Sequence, residues 1–149
     1  MSLRRTLLFL LLAAGFGSTG AVRAADREVV LVVSAESSVL QLDAIEIQKL
    51  FLGFPVLREN RTLHPVRNLS DDRLSDVFLQ HIVAMSQSAY DRRILTQVLQ
   101  QGRPRPAEVK TPAQVIQTLA SDPFAVSYMW LRDVPATPRM RILRVLWAE

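Results

Sequence analysis

The sequence contains no cysteine and only five glycines among its 149 residues. Without cysteine the chain forms no disulfide and has no attachment point for an N-terminal lipid anchor. Three of the glycines lie within the first 20 residues, and the other two, Gly53 and Gly102, follow predicted helices. The sequence therefore has no glycine-rich phosphate loop and no nucleophile elbow, and it predicts a binding protein rather than an enzyme.

Histidine is also scarce. His64 and His81 are the only two histidines, and they share neither a helical nor a short spacing. Zinc sites are normally built from closely spaced cysteines and histidines, so we predict no metal and no cofactor.

The first 24 residues have the pattern of a secretory signal peptide. Arg4 and Arg5 precede an apolar run over residues 7–16, and Val22-Arg23-Ala24 fits a cleavage site. The run is shorter than the ~20 residues that span a bilayer, which disfavours the alternative of an uncleaved membrane anchor. We expect a mature periplasmic chain that starts near Ala25 and has no stable membrane insertion.

Charge excludes one class of partner. The net charge is +4, and it falls to +1 when the three arginines of residues 1–24 are removed, because that segment has no acidic residue. A nearly neutral protein has no electrostatic basis for binding nucleic acid. Residues 25–149 suit one compact domain.

Hydrophobic periodicity predicts the first half of the domain. Residues 29–33 form a β-branched and leucine run typical of a strand buried on both faces. Asp43 begins a helix with Glu46 at the capping-box position, and Gly53 ends it. Residues 63–67 predict a strand that Pro65 places at a sheet edge or ends early.

The second half is predicted to be mainly helical, with two closing strands. The expected elements are a helix capped by Ser70 with an apolar stripe at residues 74, 77, 78, 81 and 82, a helix over 88–101 with residues 94, 95, 98 and 99 inward, a helix from Thr111, and strands over 125–129 and 141–147. The order of elements predicts a three-layer α/β domain with a mixed sheet flanked by helices.

Arg67 is the main candidate for binding a ligand. An arginine beside a helix N-terminus favours an anion, because helix-end N–H groups and a guanidinium both attract negative charge. Asn68 and Ser70 follow it as possible donors. The alternatives are an ion pair of Arg67 with Asp71, Asp72 or another surface acid, and Ser70 as a plain helix cap.

Three serines form a second candidate group. Ser34, Ser37 and Ser38 follow the first strand, at the carboxyl end where ligands bind in open α/β sheets. The alternative for this group is a solvated loop.

Four segments in order along the chain resemble the periplasmic phosphate-binding proteins of ABC transporters, which have the type II periplasmic binding fold. They are residues 29–38, the helix end Phe51-Leu52-Gly53, the arginine motif Pro65-Val66-Arg67, and the strand over residues 124–129. The resemblance implies one lobe of such a protein, since residues 25–149 suffice for about one lobe of the two. Arg103 and Arg105 lie where the family has a glycine-rich loop near the ligand, which implies either added anion affinity or a rigid exposed connector.

The resemblance implies a periplasmic protein that binds phosphate or a related oxyanion weakly, for transport or sensing. Its implied ligand residues are Ser34, Ser37, Ser38, Arg67, Asn68 and Ser70, and an inner-membrane transporter or sensor is the implied partner. Leu69 stands where the family has an aspartate, and Asp71 and Asp72 fall where it has Ser-Gly-Thr. These departures favour the alternative, an envelope interaction module without a ligand that docks on a membrane sensor or transporter component.

Overall fold

The computed structural model describes residues 27–149, so the predicted signal peptide lies outside the described residues. The strands are β1 (Glu28–Ser34), β2 (Leu57–Arg58), β3 (Arg61–Thr62), β4 (His64–Asn68), β5 (Ala107–Val109), β6 (Ala125–Trp130) and β7 (Met140–Ala148). The helices are α1 (Ala44–Phe51), α2 (Asp72–Val77), α3 (Gln87–Gln101) and α4 (Pro112–Ser121). A π-helix, Phe78–Ile82, continues α2 directly, and a short 3-10 turn, Leu131–Asp133, follows β6.

A mixed five-stranded sheet with the order β5-β4-β6-β1-β7 organises the domain. Strand β4 is parallel to β5 and β6, and β1 is antiparallel to both of its neighbours. Residues 29–33 are at most 1% exposed, which confirms the predicted interior strand. On one face α1, α2 and α3 cover the larger core, and on the other α4 covers a smaller one. The predicted three-layer α/β architecture is confirmed.

Three helices have an end where the sequence predicts it, two through a side-chain cap and one through a glycine. The Asp43 carboxylate accepts the Glu46 N–H at 2.8 Å, and the Glu46 carboxylate accepts the Asp43 N–H at 3.0 Å, a reciprocal capping box. Gly102 ends α3 in the left-handed region at φ 62°, and Thr111 caps α4. At α2 the predicted cap is wrong. Asp71, not Ser70, is the N-cap, and its Oδ1 accepts the Leu74 N–H at 2.8 Å.

Strand β4, which continues to Asn68, corrects the prediction that Pro65 places this strand at a sheet edge or ends it early. The strand is interior, but its pairing with β5 begins only at Val66. The His64 N–H points toward β6 and donates to Phe124. Because backbone N–H groups alternate in direction along a strand, Pro65 is directed to the side where β5 has not begun. Its missing donor therefore costs no ladder hydrogen bond.

Three predicted inward positions face solvent. On α3, Ile94 is 4% exposed, but Leu95 is 42% and Leu99 is 74% exposed. The inward face of α3 is instead completed by Tyr90 and Gln97. His81 is also exposed, because the π-helix widens the turn and rotates this position away from the apolar stripe.

Four aromatic rings pack at the centre of the larger core. Phe78 lies parallel to Tyr128, with ring centroids 4.9 Å apart, and meets Phe51 and Tyr90 edge-on at 5.5 and 5.4 Å. The Tyr90 hydroxyl donates to the Phe51 carbonyl at 2.9 Å. These contacts join α1, the π-helix, α3 and β6 into one unit.

Removing the α1 cap tests how the sequence encodes this fold. Asp43→Ala is expected to lower the free energy of unfolding by about 1 kcal/mol, because the Glu46 N–H loses its acceptor. Urea unfolding measures the change. Asp76→Ala, which removes an exposed aspartate that caps nothing, is the matched control and is expected to change stability by less than about 0.5 kcal/mol. An equal effect of the two substitutions would contradict the capping assignment.

Candidate functional site

The Arg67 side chain is buried in the larger core. Side chains alternate along β4, so Val66 packs in the smaller core under α4 and Arg67 projects to the opposite face. Its guanidinium carbon lies 4.8 Å from the Phe78 ring centroid and 4.6 Å from that of Tyr90, while only 3% of the residue is exposed. Two aromatic faces therefore stabilise the cation and fix its orientation.

The charge of Arg67 is incompletely neutralised. Its nearest carboxylate is Glu108, with Oε1 3.8 Å from Nη1, beyond hydrogen-bond distance, and the Glu108 side chain is 56% exposed. Within residues 27–149, the buried Arg67 Nε has no hydrogen-bond acceptor. Because a buried charge is costly unless it is paired and hydrogen-bonded, the site favours an additional anionic group.

Arg67 lines a cavity of about 260 Å³ between α3 and the β5 edge of the sheet, here called the Arg67 cavity. Its wall is completed by Tyr90, Asp91, Ile94, Arg105, Pro106 and Glu108. Asp91, Arg105 and Glu108 are exposed, so the cavity opens to solvent along their side. Since one water occupies about 30 Å³ of the liquid, the cavity has room for a tetrahedral oxyanion and several waters.

The other residues predicted around Arg67 have structural contacts of their own. Asn68 is fully buried, and its amide donates to the Tyr128 carbonyl at 3.0 Å and accepts from the Ser70 N–H at 3.0 Å. The carboxylate of Asp71 lies at the N-terminus of α2 and also accepts from the Trp130 indole at 3.4 Å. The Arg67 cavity is thus lined by neither Asn68 nor Ser70, nor by this helix end.

The structure does not bring Ser34, Ser37 and Ser38 together with Arg67. Strand β1 is antiparallel to β6, so its carboxyl end lies beside the amino ends of β6 and β4. Ser34 is level with His64, the first residue of β4. Asn68, at the other end of β4, lies four residues and about 13 Å further along the strand direction. Ser34 and Ser37 are 5% exposed and accept the N–H groups of Glu36 and Val39. Ser38 is exposed.

The sequence pattern missed the aromatic part of the site. Phe78 was predicted only as part of an apolar stripe and Tyr90 was not singled out, because contact with Arg67 depends on how the π-helix and α3 pack on the sheet. Arg105 was noted as a possible source of anion affinity, and the structure places it at the Arg67 cavity. Within the described range, no three acidic or histidine side chains converge where they could hold a metal ion. That same range contains no helix long and apolar enough to cross a membrane.

The two tyrosines of the sequence give this core a measurable titration. Desolvation raises the pKa of Tyr128 to about 12 and that of Tyr90 further, against a smaller opposing effect of the Arg67 charge. Because both tyrosines stay protonated in the folded protein but ionise near pH 10 in the unfolded chain, their contribution to the free energy of unfolding is complete below pH 10. That contribution is lost as the pH rises above 10. Alkaline titration of ultraviolet absorbance should show little tyrosinate near pH 10, and its appearance should coincide with unfolding. Normal titration of either tyrosine in the folded protein would contradict this core.

Neither a protein-family model nor any curated protein matches the sequence. Solved structures do match the fold. One is an ABC-type phosphate transport receptor from Vibrio cholerae, at 9% identity and a TM-score of 0.50, over 81% of this chain and 47% of that one. Another, described as a phosphate ABC transporter substrate-binding protein from Clostridium perfringens and solved with bound phosphate, matches at 11% identity and a TM-score of 0.57, over 81% of this chain and 46% of that one. This chain spans just under half the length of either protein. The expected resemblance is confirmed for the fold, which is that of part of a phosphate-transport substrate-binding protein.

Proposed function

We propose that this domain binds a small oxyanion weakly at the Arg67 cavity. The observation that carries the proposal is the buried guanidinium, whose only close carboxylate within residues 27–149 is too distant for a hydrogen bond. An oxyanion at this position would supply the missing charge and hydrogen-bond acceptors. The fold supports a solute-binding role, and phosphate is the first ligand to test because the Clostridium perfringens protein was solved with it.

Glu108 is the group that an incoming anion would displace. Its side chain is more than half exposed, so its carboxylate can turn to water at low cost, whereas Arg67 is held by two rings. Arg105 stands at the rim and adds a second positive charge. Asp91 and Glu108 oppose these charges, and the open rim keeps the ligand partly solvated, so the expected affinity is low.

The biological setting that fits this binding is the periplasm. The predicted signal peptide would deliver the domain there, and a transporter or sensor in the inner membrane would receive the loaded protein. Arg67 remains the proposed ligand residue of the predicted set. The other predicted residues do not line the Arg67 cavity, so they would stabilise the fold or belong to a different surface. They are Ser34, Ser37, Ser38, Asn68 and Ser70.

Calorimetric titration of the mature domain with phosphate and sulfate tests the proposal. We expect saturable binding, which Arg105→Gln weakens about fivefold, since an exposed charge contact is worth about 1 kcal/mol. Arg67→Lys should weaken it further, because an ammonium cannot lie flat between two rings and present several donors.

Arg92→Gln is the matched control for these variants. It removes the same charge from an exposed position of α3 that does not line the cavity, so phosphate affinity should stay within about twofold of the original. Failure of phosphate, sulfate and carboxylates to bind at millimolar concentration would end the proposal. An Arg105→Gln variant that binds like the original would place the ligand elsewhere.

The polar groups near the start of α2 already have hydrogen-bond partners, and this favours a second function. Asp71 already satisfies the end of this helix, and Asn68 satisfies its own neighbours, so the segment after Arg67 offers an anion few free donors. Such a domain would serve as an envelope interaction module. Capture of the same membrane sensor or transporter component by the original protein and by Arg67→Lys, with no oxyanion binding, would support this function over the first.

A further inference from the structure

A second cavity lies at the amino end of β4, the opposite end of this strand from Asn68. It has a volume of about 500 Å³ and is bounded by the end of α1, the amino end of β4, and the loop between α3 and β5. This volume is within the range of about 300–1,000 Å³ found for sites of small molecules. We call it the proline cleft, because Pro55, Pro65, Pro104 and Pro106 all line it.

The walls of the proline cleft are apolar and conformationally restricted. Leu50, Phe54 and Leu63 add hydrocarbon surface to that of the prolines. Proline has a fixed φ, so the loop from Gly102 to Pro106 has few alternative conformations to lose when a ligand binds. An apolar molecule would therefore bury surface here at a low entropic cost.

The charged groups of the proline cleft have one sign. Arg103 and Arg105 line it, and no acidic side chain does. The Arg103 Nη1 donates to the Gly53 carbonyl at 3.2 Å, which anchors a half-buried guanidinium at the wall while its other N–H groups remain available for a ligand. This contrasts with the Arg67 cavity, whose wall includes the acidic side chains of Asp91 and Glu108 as well as two arginines.

We propose that the proline cleft binds a small organic anion. Its aromatic or branched apolar body would lie against Phe54, Leu63 and the prolines, and its anionic group would face Arg103 and Arg105. The cleft is distinct from the Arg67 cavity. The two have a common wall at Arg105 and Pro106, but Arg103 lines only the cleft and Arg67 only the cavity.

Anilinonaphthalene sulfonate is a suitable probe, because it is an aromatic anion whose fluorescence rises in an apolar environment. The folded domain should bind it saturably. Benzoate should displace it at least tenfold more effectively than benzyl alcohol, which has the same ring without the charge, and more effectively than inorganic phosphate. Arg103→Gln should weaken benzoate binding about fivefold, while Arg92→Gln leaves it unchanged.

Filling the cleft gives an independent test. Thr62→Phe adds a ring to the wall that β3 contributes to the cleft and should abolish saturable probe binding, while Ala120→Phe, on the exposed face of α4, should not. If Thr62→Phe does not fold, as judged by circular dichroism, Pro104→Phe adds a ring from the loop between α3 and β5.

Several outcomes would overturn the inference and leave the proposed function intact. They are the absence of saturable probe binding, equal displacement by benzyl alcohol and benzoate, and unchanged probe binding in the filled variants. Displacement of the probe by inorganic phosphate as readily as by benzoate would also overturn it, since the two cavities would then be one site. Loss of phosphate binding in Arg67→Lys with benzoate binding retained would support two separate sites.

Discussion

The position of a single cation, the guanidinium of Arg67 between the rings of Phe78 and Tyr90, determines how the larger core is arranged. Burying a guanidinium is unfavourable, and the aromatic faces offset part of that cost. The rings come from the π-helix and from α3, so both must pack at fixed positions on the sheet. Glu108 on the neighbouring strand completes the neutralisation only partly, and the proposed anion binding depends on this residual positive charge.

Local signals in the sequence account for most of the elements. The capping box at Asp43, the αL glycine at Gly102 and the proline after Thr111 define helix ends through contacts within a few residues, so they could be read without the fold. The cap of α2 was misassigned because two adjacent residues, Ser70 and Asp71, can both cap. The geometry chooses Asp71, which also accepts from Trp130 on a distant strand.

Strand order could not be obtained in the same way. The serines after β1 were predicted to bind the same ligand as Arg67, because ligands bind at the carboxyl ends of strands in open α/β sheets. Strand β1 is antiparallel to β6, and this direction depends on chain connections rather than on the residues of the strand. The burial of Leu95 and Leu99 was overestimated for a similar reason. A helical stripe shows which residues are apolar, but the partner elements decide how wide the covered face is.

The most direct measurement of the central claim is a nuclear magnetic resonance titration that follows the side-chain nitrogens of Arg67. If the cation is held between the rings and contacts the ligand, its N–H protons should exchange slowly with water before phosphate is added. Its resonances should then shift saturably with phosphate and not with sodium chloride at equal ionic strength. Resonances of a freely exchanging arginine, or resonances that do not move while phosphate binds, would contradict the account.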